Sequence, residues 1–195
     1  MKTVIVYNHP YEGSFNRAIL DAVRAGLLQG GDTVDVIDLD AEKFNPVMTA
    51  ADLSDFVRKK PTDPQVLGYG RRLSDVDRLV LIFPTWWSLM PALTKGFIDK
   101  VMFPGLAYEY GATHMTPLLL NLRQVTVITT MNMPRVVYGC LFGNPLRHAL
   151  VKGTFKMMGY KNTKLIRLHR VKDVSPERRR RWLAKLEKRF RRQKI

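Results

Sequence analysis

Residues 3–16, TVIVYNHPYEGSFN, decide how the rest of the chain is read. Residues 3–7 are a short β-branched run without polar alternation, the pattern of a strand buried on both faces. Residues 8–13 are turn-like. Ser14 can then cap a helix in which Phe15, Ala18, Ile19, Ala22, Val23 and Leu27 share one face. Gly30-Gly31 ends that helix.

The same alternation continues outward. Residues 33–39 (TVDVIDL) alternate and read as a second strand near the sheet edge. Residues 40–75 are polar and irregular, with short helices around 51–59 and 64–73. Residues 76–83 (VDRLVLIF) form a third strand that Pro84 stops, and Pro91 suits the first turn of a helix lined by Leu93, Phe97 and Val101. Residues 122–130 (LRQVTVITT) are a fourth strand, 145–158 a helix, and 164–169 a fifth strand. Ser175-Pro176 opens a last helix over 175–192, with Trp182, Leu183, Leu186 and Phe190 as its apolar stripe and the arginines mostly outside it. Five apolar strands alternating with helices predict one domain over residues 1–195, an open parallel sheet covered on both faces. In such a sheet ligands bind outside the C-terminal strand ends, at a topological switch point.

Composition narrows the class. The 195 residues are 46% apolar and 25% charged, ordinary for a compact soluble domain and wrong for disorder. The single cysteine, Cys140, excludes an intramolecular disulfide and a cysteine zinc cluster. The most apolar stretch, residues 79–93, is shorter than the roughly 20 residues that cross a bilayer and holds two prolines. The first residues lack a signal-peptide core, so the expected location is the cytoplasm. Of the net charge of +15, residues 176–195 supply ten Lys/Arg against two Asp/Glu. A charge gathered in one terminal segment reads first as the solvated face of an amphipathic helix, and nucleic acid is not expected as a partner. The same helix can meet a membrane protein or an anionic surface.

Three loops follow strands one, three and four. In the first, a phosphate would face the open N–H groups of the helical turn and the Ser14 hydroxyl, with Asn16 and His9 as further donors. The bland alternative keeps Ser14 as a cap and His9 as a turn residue. No G-x-G-x-x-G and no G-x-x-x-x-G-K-[ST] is present. The second loop sets Trp86 and Trp87 between Pro84 and Pro91, a stiff frame for a flat heterocycle in which one indole can still pack under the sheet. The third is Thr129-Thr130-Met131-Asn132, two hydroxyls at a strand end. No G-x-S-x-G, no H-E-x-x-H and no Cys–His pair marks a hydrolase, and no residues suggest a metal site.

H-P-x-x-x-S-F-N at residues 9–16, F-P-x-x-W with P-A-L-x-K-G-F-I-D-K at 83–100, LAYEYG at 106–111 and Thr129-Thr130 together resemble the flavodoxin-like NAD(P)H:quinone oxidoreductases. That family includes the ancillary oxidoreductases of potassium channels. The resemblance implies a flavodoxin-like five-stranded parallel sheet of order 2-1-3-4-5. It implies a flavin-dependent enzyme carrying hydride from NAD(P)H to a quinone or similar acceptor, with FMN preferred to FAD because no extra segment is available to clasp an adenosine. His9, Ser14, Phe15 and Asn16 would hold the flavin phosphate. Pro84, Thr85, Trp86 and Trp87 would run along the ring, with Thr129 and Thr130 opposite. Tyr108 would belong to the substrate pocket, contributed across a homodimer interface, and Tyr138 would stand near the reacting ring as the catalytic tyrosine. Met131 and Asn132 depart from the two glycines usual in the family, so the ring's polar edge is met differently or crowded. Three rivals remain: a basic nucleic-acid-binding module, a flavin-binding regulatory subunit of a membrane transport protein, and a flavin-free homologue.

Overall fold

The computed structural model describes residues 1–192; the expected domain runs three residues past them, to 195, outside the described residues. In chain order the elements are β1 (Lys2–Tyr7), α1 (Phe15–Gln29), β2 (Thr33–Asp38), α2 (Ala50–Arg58), α3 (Pro64–Leu73), β3 (Arg78–Pro84) and α4 (Ala92–Val101). There follow β4 (Tyr108–Tyr110), β5 (Met115–Pro117), β6 (Gln124–Met131), β7 (Thr163–His169) and α5 (Pro176–Arg192). Five strands form a wholly parallel sheet of order β2-β1-β3-β6-β7, the flavodoxin-like arrangement expected from the sequence. The alternating residue TVDVIDL stretch is indeed an edge strand.

Strand alternation sorts the core into two layers. Val4, Val6, Leu79, Leu81, Val125 and Val127 face one side, where α3, α4 and Phe155 pack. Ile5, Tyr7, Val80, Ile82 and Ile128 face the other, against α1 and α5. The α1–α5 contact is made backbone to backbone: a Cβ placed on Gly26 would lie 2.4 Å from the Glu187 carbonyl oxygen. Leu186 and Phe190 are buried in this layer, as the amphipathic stripe requires, and Ser175 Oγ accepts from the Arg178 N–H to cap α5.

Two features differ from the sequence reading. The helix expected over 145–158 is π-helical from Arg147 to Lys156, and a shorter π-helical segment spans Val137–Leu141. Thr154 Oγ1 donates to the carbonyl of Ala149, five residues back, which suits the wider turn. A small antiparallel hairpin, β4 with β5, was absent from the reading because three-residue strands are too short to show a period. At the N-terminal end of the sheet, Arg78 is fully buried and pairs with Asp32 at 2.8 Å, while Thr3 Oγ1 donates to the same carboxylate. Among the described residues no helix is long and apolar enough to cross a membrane.

Candidate functional site

The three loops after β1, β3 and β6 meet above the C-terminal strand ends, and side-chain hydrogen bonds join them. Parallel pairing sets Tyr7 beside Ile82, and Pro84 beside Thr130. Asn8, at the end of β1, donates from Nδ2 to Asp40 at 2.7 Å and accepts from Thr94 Oγ1 at 2.9 Å. It thereby holds the β1, β2 and α4 ends together. Sequence reasoning passed over Asn8, whose only signal was a polar residue directly after an apolar strand.

On α1, Ser14 Oγ accepts from the Arg17 N–H at 3.1 Å and lies 3.4 Å from the Tyr7 hydroxyl. The cap is therefore real. It leaves the N–H groups of Phe15 and Asn16 without intrahelical acceptors, as at any helix start, at the positive end of the helix dipole. His9 Nδ1 accepts from the Tyr11 N–H at 3.1 Å, which puts the neutral ring's proton on Nε2 and makes it a donor. The cleft beside His9 is about 230 Å³ and includes Arg17, Asp38 and Asp40. The two carboxylates favour placing an anion on the α1 side of it.

Asn16 is not a free donor. Its buried amide donates to Thr130 Oγ1 at 3.0 Å, so it braces α1 against β6. Thr129, facing the opposite layer, shares a 2.7 Å hydrogen bond with the Thr85 hydroxyl, and the Thr85 N–H donates to the Thr130 carbonyl at 2.8 Å. Thr85, Thr129 and Thr130 thus tie β3 to β6 at their C-terminal ends.

After Pro84 the chain makes a tight turn closed by reciprocal Trp86–Leu89 backbone bonds of 2.9 and 3.0 Å. Trp87 and Ser88 occupy its centre with φ of 46° and 67°, the left-handed pair of a type I′ turn. Each such non-glycine residue costs about 1–3 kcal/mol and persists only where the surroundings impose it. The N–H groups of Trp87 and Ser88 make no bond within the described chain. One indole was expected to pack under the sheet, but Trp86 is 48% exposed and Trp87 fully exposed, because the left-handed turn aims both away from the core.

Tyr138 supplies the imposing contact. Its ring is wholly buried, its hydroxyl donates to the Ser88 carbonyl at 2.9 Å and accepts from the Leu146 N–H at 3.2 Å. Burial raises its pKa. The phenol expected near the reacting ring is thus shut from solvent in this structure, with its one proton given to the Ser88 carbonyl. Met131 turns its side chain into the core, and Asn132 Oδ1 accepts from the Lys172 N–H at 3.2 Å. Tyr108 likewise lies mostly in the core, its hydroxyl 3.1 Å from that of Tyr110 and its pKa raised by burial. The exposed ring of the pair is Tyr110.

A wholly parallel sheet of order β2-β1-β3-β6-β7, with helices on both faces, defines a flavodoxin-like fold. The family model Flavodoxin_2, described as a flavodoxin-like fold, matches residues 1–193, and the chain belongs to this family. An uncharacterized NAD(P)H oxidoreductase of Escherichia coli K12, YcaK, is 38% identical over 108 residues, 55% of each chain. The chain spans about half the length of the first curated relatives it matches. Among solved structures, Smu.1420 from Streptococcus mutans UA159 superposes with a TM-score of 0.85 at 32% identity, covering 99% of this chain and 100% of the other. The NAD(P)H:quinone oxidoreductase from Methanothermobacter marburgensis shares the fold at a TM-score of 0.88, with 24% identity and 98% coverage of both.

Proposed function

We propose that this chain is an FMN-dependent NAD(P)H oxidoreductase acting on a quinone-like acceptor. The observation that carries the reading is the bracing of three loops into one rim, by Asn16 to Thr130 and by Thr85 to Thr129, with open N–H donors at two separate points. The donor set fits FMN. The Phe15 and Asn16 N–H groups and His9 Nε2 would hold its phosphate, and the Trp87 and Ser88 N–H groups would meet the ring's polar edge. When bound, FMN supplies a two-electron carrier that takes hydride from NAD(P)H and reduces the acceptor. The chain's own part is to fix these N–H dipoles where negative charge develops and to offer an apolar face for stacking. Trp86 and Trp87 form that face; Ser14 holds the helix start; Tyr138 and Asn16 hold the rim.

Exposed Trp87 and Tyr110 suit an isologous contact between two copies. We assign the whole chain to one flavin-binding unit, working in the cytoplasm. The test is an absorbance spectrum of the purified protein before and after adding NADH or NADPH. A flavin band that bleaches on addition and recovers with a quinone supports the assignment. Colourless protein that fails to take up added FMN overturns it. Extraction of the bound group by acid separates FMN from FAD.

A further inference from the structure

Sheet order divides the charge of this molecule. Residues 1–109 hold twelve Lys/Arg and fourteen Asp/Glu, whereas residues 110–195 hold twenty and three. The first group builds β2, β1 and β3, the second β6 and β7, so one side of the sheet is close to neutral and the other strongly positive. A cleft of about 520 Å³ opens on the positive side, at the C-terminal end of β7 and the start of α5. Arg135, Arg178 and Arg181 line it with His169, Arg170 and Ser175. Its one acid, Asp173, is engaged by Arg170 at 3.1 Å. Among the described residues Arg135, Arg178 and Arg181 form no ion pair, and the Arg178 guanidinium is held over the Trp182 ring at 5.5 Å. His169 closes the floor, Nδ1 bonded to the Met133 carbonyl at 3.0 Å and Nε2 buried without a partner.

The cleft walls are tied to the ring site. The Val171 N–H donates to the Met131 carbonyl at 3.2 Å, and the Lys172 N–H to Asn132 Oδ1 at the same distance. The residues that replace the usual glycines thus dock the β7–α5 loop. Met131, the last residue of β6, pairs with His169 across the ladder, so the floor of the cleft lies one strand spacing, about 4.8 Å, from the end of β6. A ligand that stacks at the ring site can therefore extend into a pocket with three unpaired guanidinium groups, whose planar forks match phosphate. NADH and NADPH differ by one phosphate, on the adenosine ribose.

We propose that this cleft receives the ribose 2′-phosphate of NADPH and makes the chain select NADPH over NADH. The inference rests on the oxidoreductase reading and names its substrate. Two probes test it without turnover: 2′,5′-ADP and 5′-AMP, titrated calorimetrically into the purified protein at fixed ionic strength. The expected result is that 2′,5′-ADP binds at least tenfold tighter, that Arg178→Gln with Arg181→Gln abolishes the difference, and that Arg135→Gln, on another loop, reduces it. The ratio of kcat/KM for NADPH over NADH should fall at least tenfold in the double variant, with an unchanged melting midpoint. Equal affinity for the two probes, or an unaltered ratio, overturns the proposal. Failure of the flavin spectrum counts against the oxidoreductase reading; failure of probe discrimination counts against this one.

Discussion

The Asn16 amide donates to the Thr130 hydroxyl at 3.0 Å across 114 residues of sequence, joining the first turn of α1 to the end of β6. Both side chains are buried, so breaking the pair leaves a polar group without water to replace its partner. Asn16→Ala should cost about 1–3 kcal/mol and weaken FMN retention, read by urea unfolding and by flavin fluorescence. Thr130→Val, which keeps the shape, should cost less. Equal and negligible losses in both would show that the brace does not hold the rim.

Trp87 sits in a conformation that only glycine adopts freely, with φ of 46°. Trp87→Gly should leave folding stability within about 1 kcal/mol of the parent, relief of strain offsetting the added chain entropy. The same change should raise the Kd for FMN severalfold. A variant that unfolds more readily yet keeps its flavin would reverse the assignment of strain to this turn.

Tyr138→Phe deletes one hydroxyl and two hydrogen bonds, leaving the Ser88 carbonyl and the Leu146 N–H unpaired. The expected loss is about 1–3 kcal/mol of stability, with a higher KM for the acceptor and a kcat that changes less. A collapse of kcat with KM intact would instead mark Tyr138 as touching the reacting atoms.

Gly26→Ala places a methyl group against the Glu187 carbonyl, where 2.4 Å is available. Neither helix can yield without parting the α1–α5 layer, so stability should drop by about 1–3 kcal/mol. Leu28→Ala, at an exposed position of the same helix, is the control. Thermal melts of the two variants decide the point.

Burial, together with the Arg167 and Arg135 charges, lowers the His169 pKa below its ordinary 6.5, although the Met133 carbonyl works the other way. The unfolded chain then takes up this proton at a higher pH than the folded one. Stability from this group is complete above about pH 6.5 and declines as the pH falls toward the folded pKa. Urea midpoints between pH 8 and pH 5 should fall more steeply for the parent than for His169→Gln; parallel curves would remove His169 from the account.

The parallel sheet was legible because its central strands are apolar on both faces and short, and because Ser14, Gly30 and Ser175 mark helix ends by local chemistry. Local rules of this kind depend on neighbours a few residues away. His9, Trp86 and Trp87 could be placed for the same reason, in loops after strands, as could Ser14 at a helix start and Thr129 and Thr130 near the end of a strand. What their side chains do was not legible. Asn16 reads as a donor to a ligand and is committed to Thr130; Tyr138 reads as a reacting group and is sealed beneath Ser88.

Periodicity, turn residues and caps, all short-range, determined the succession of strands and helices along the chain and the loops proposed for the site. Only the folded chain decided which polar groups stay open. That depends on partners from distant strands, and a buried hydroxyl or amide takes whichever partner packing brings within reach. The positive cleft beside β7 is of the same kind: Arg135 comes from the segment after β6 and Arg170, Arg178 and Arg181 from around the start of α5, and the pairing of β7 with β6 brings the two segments together.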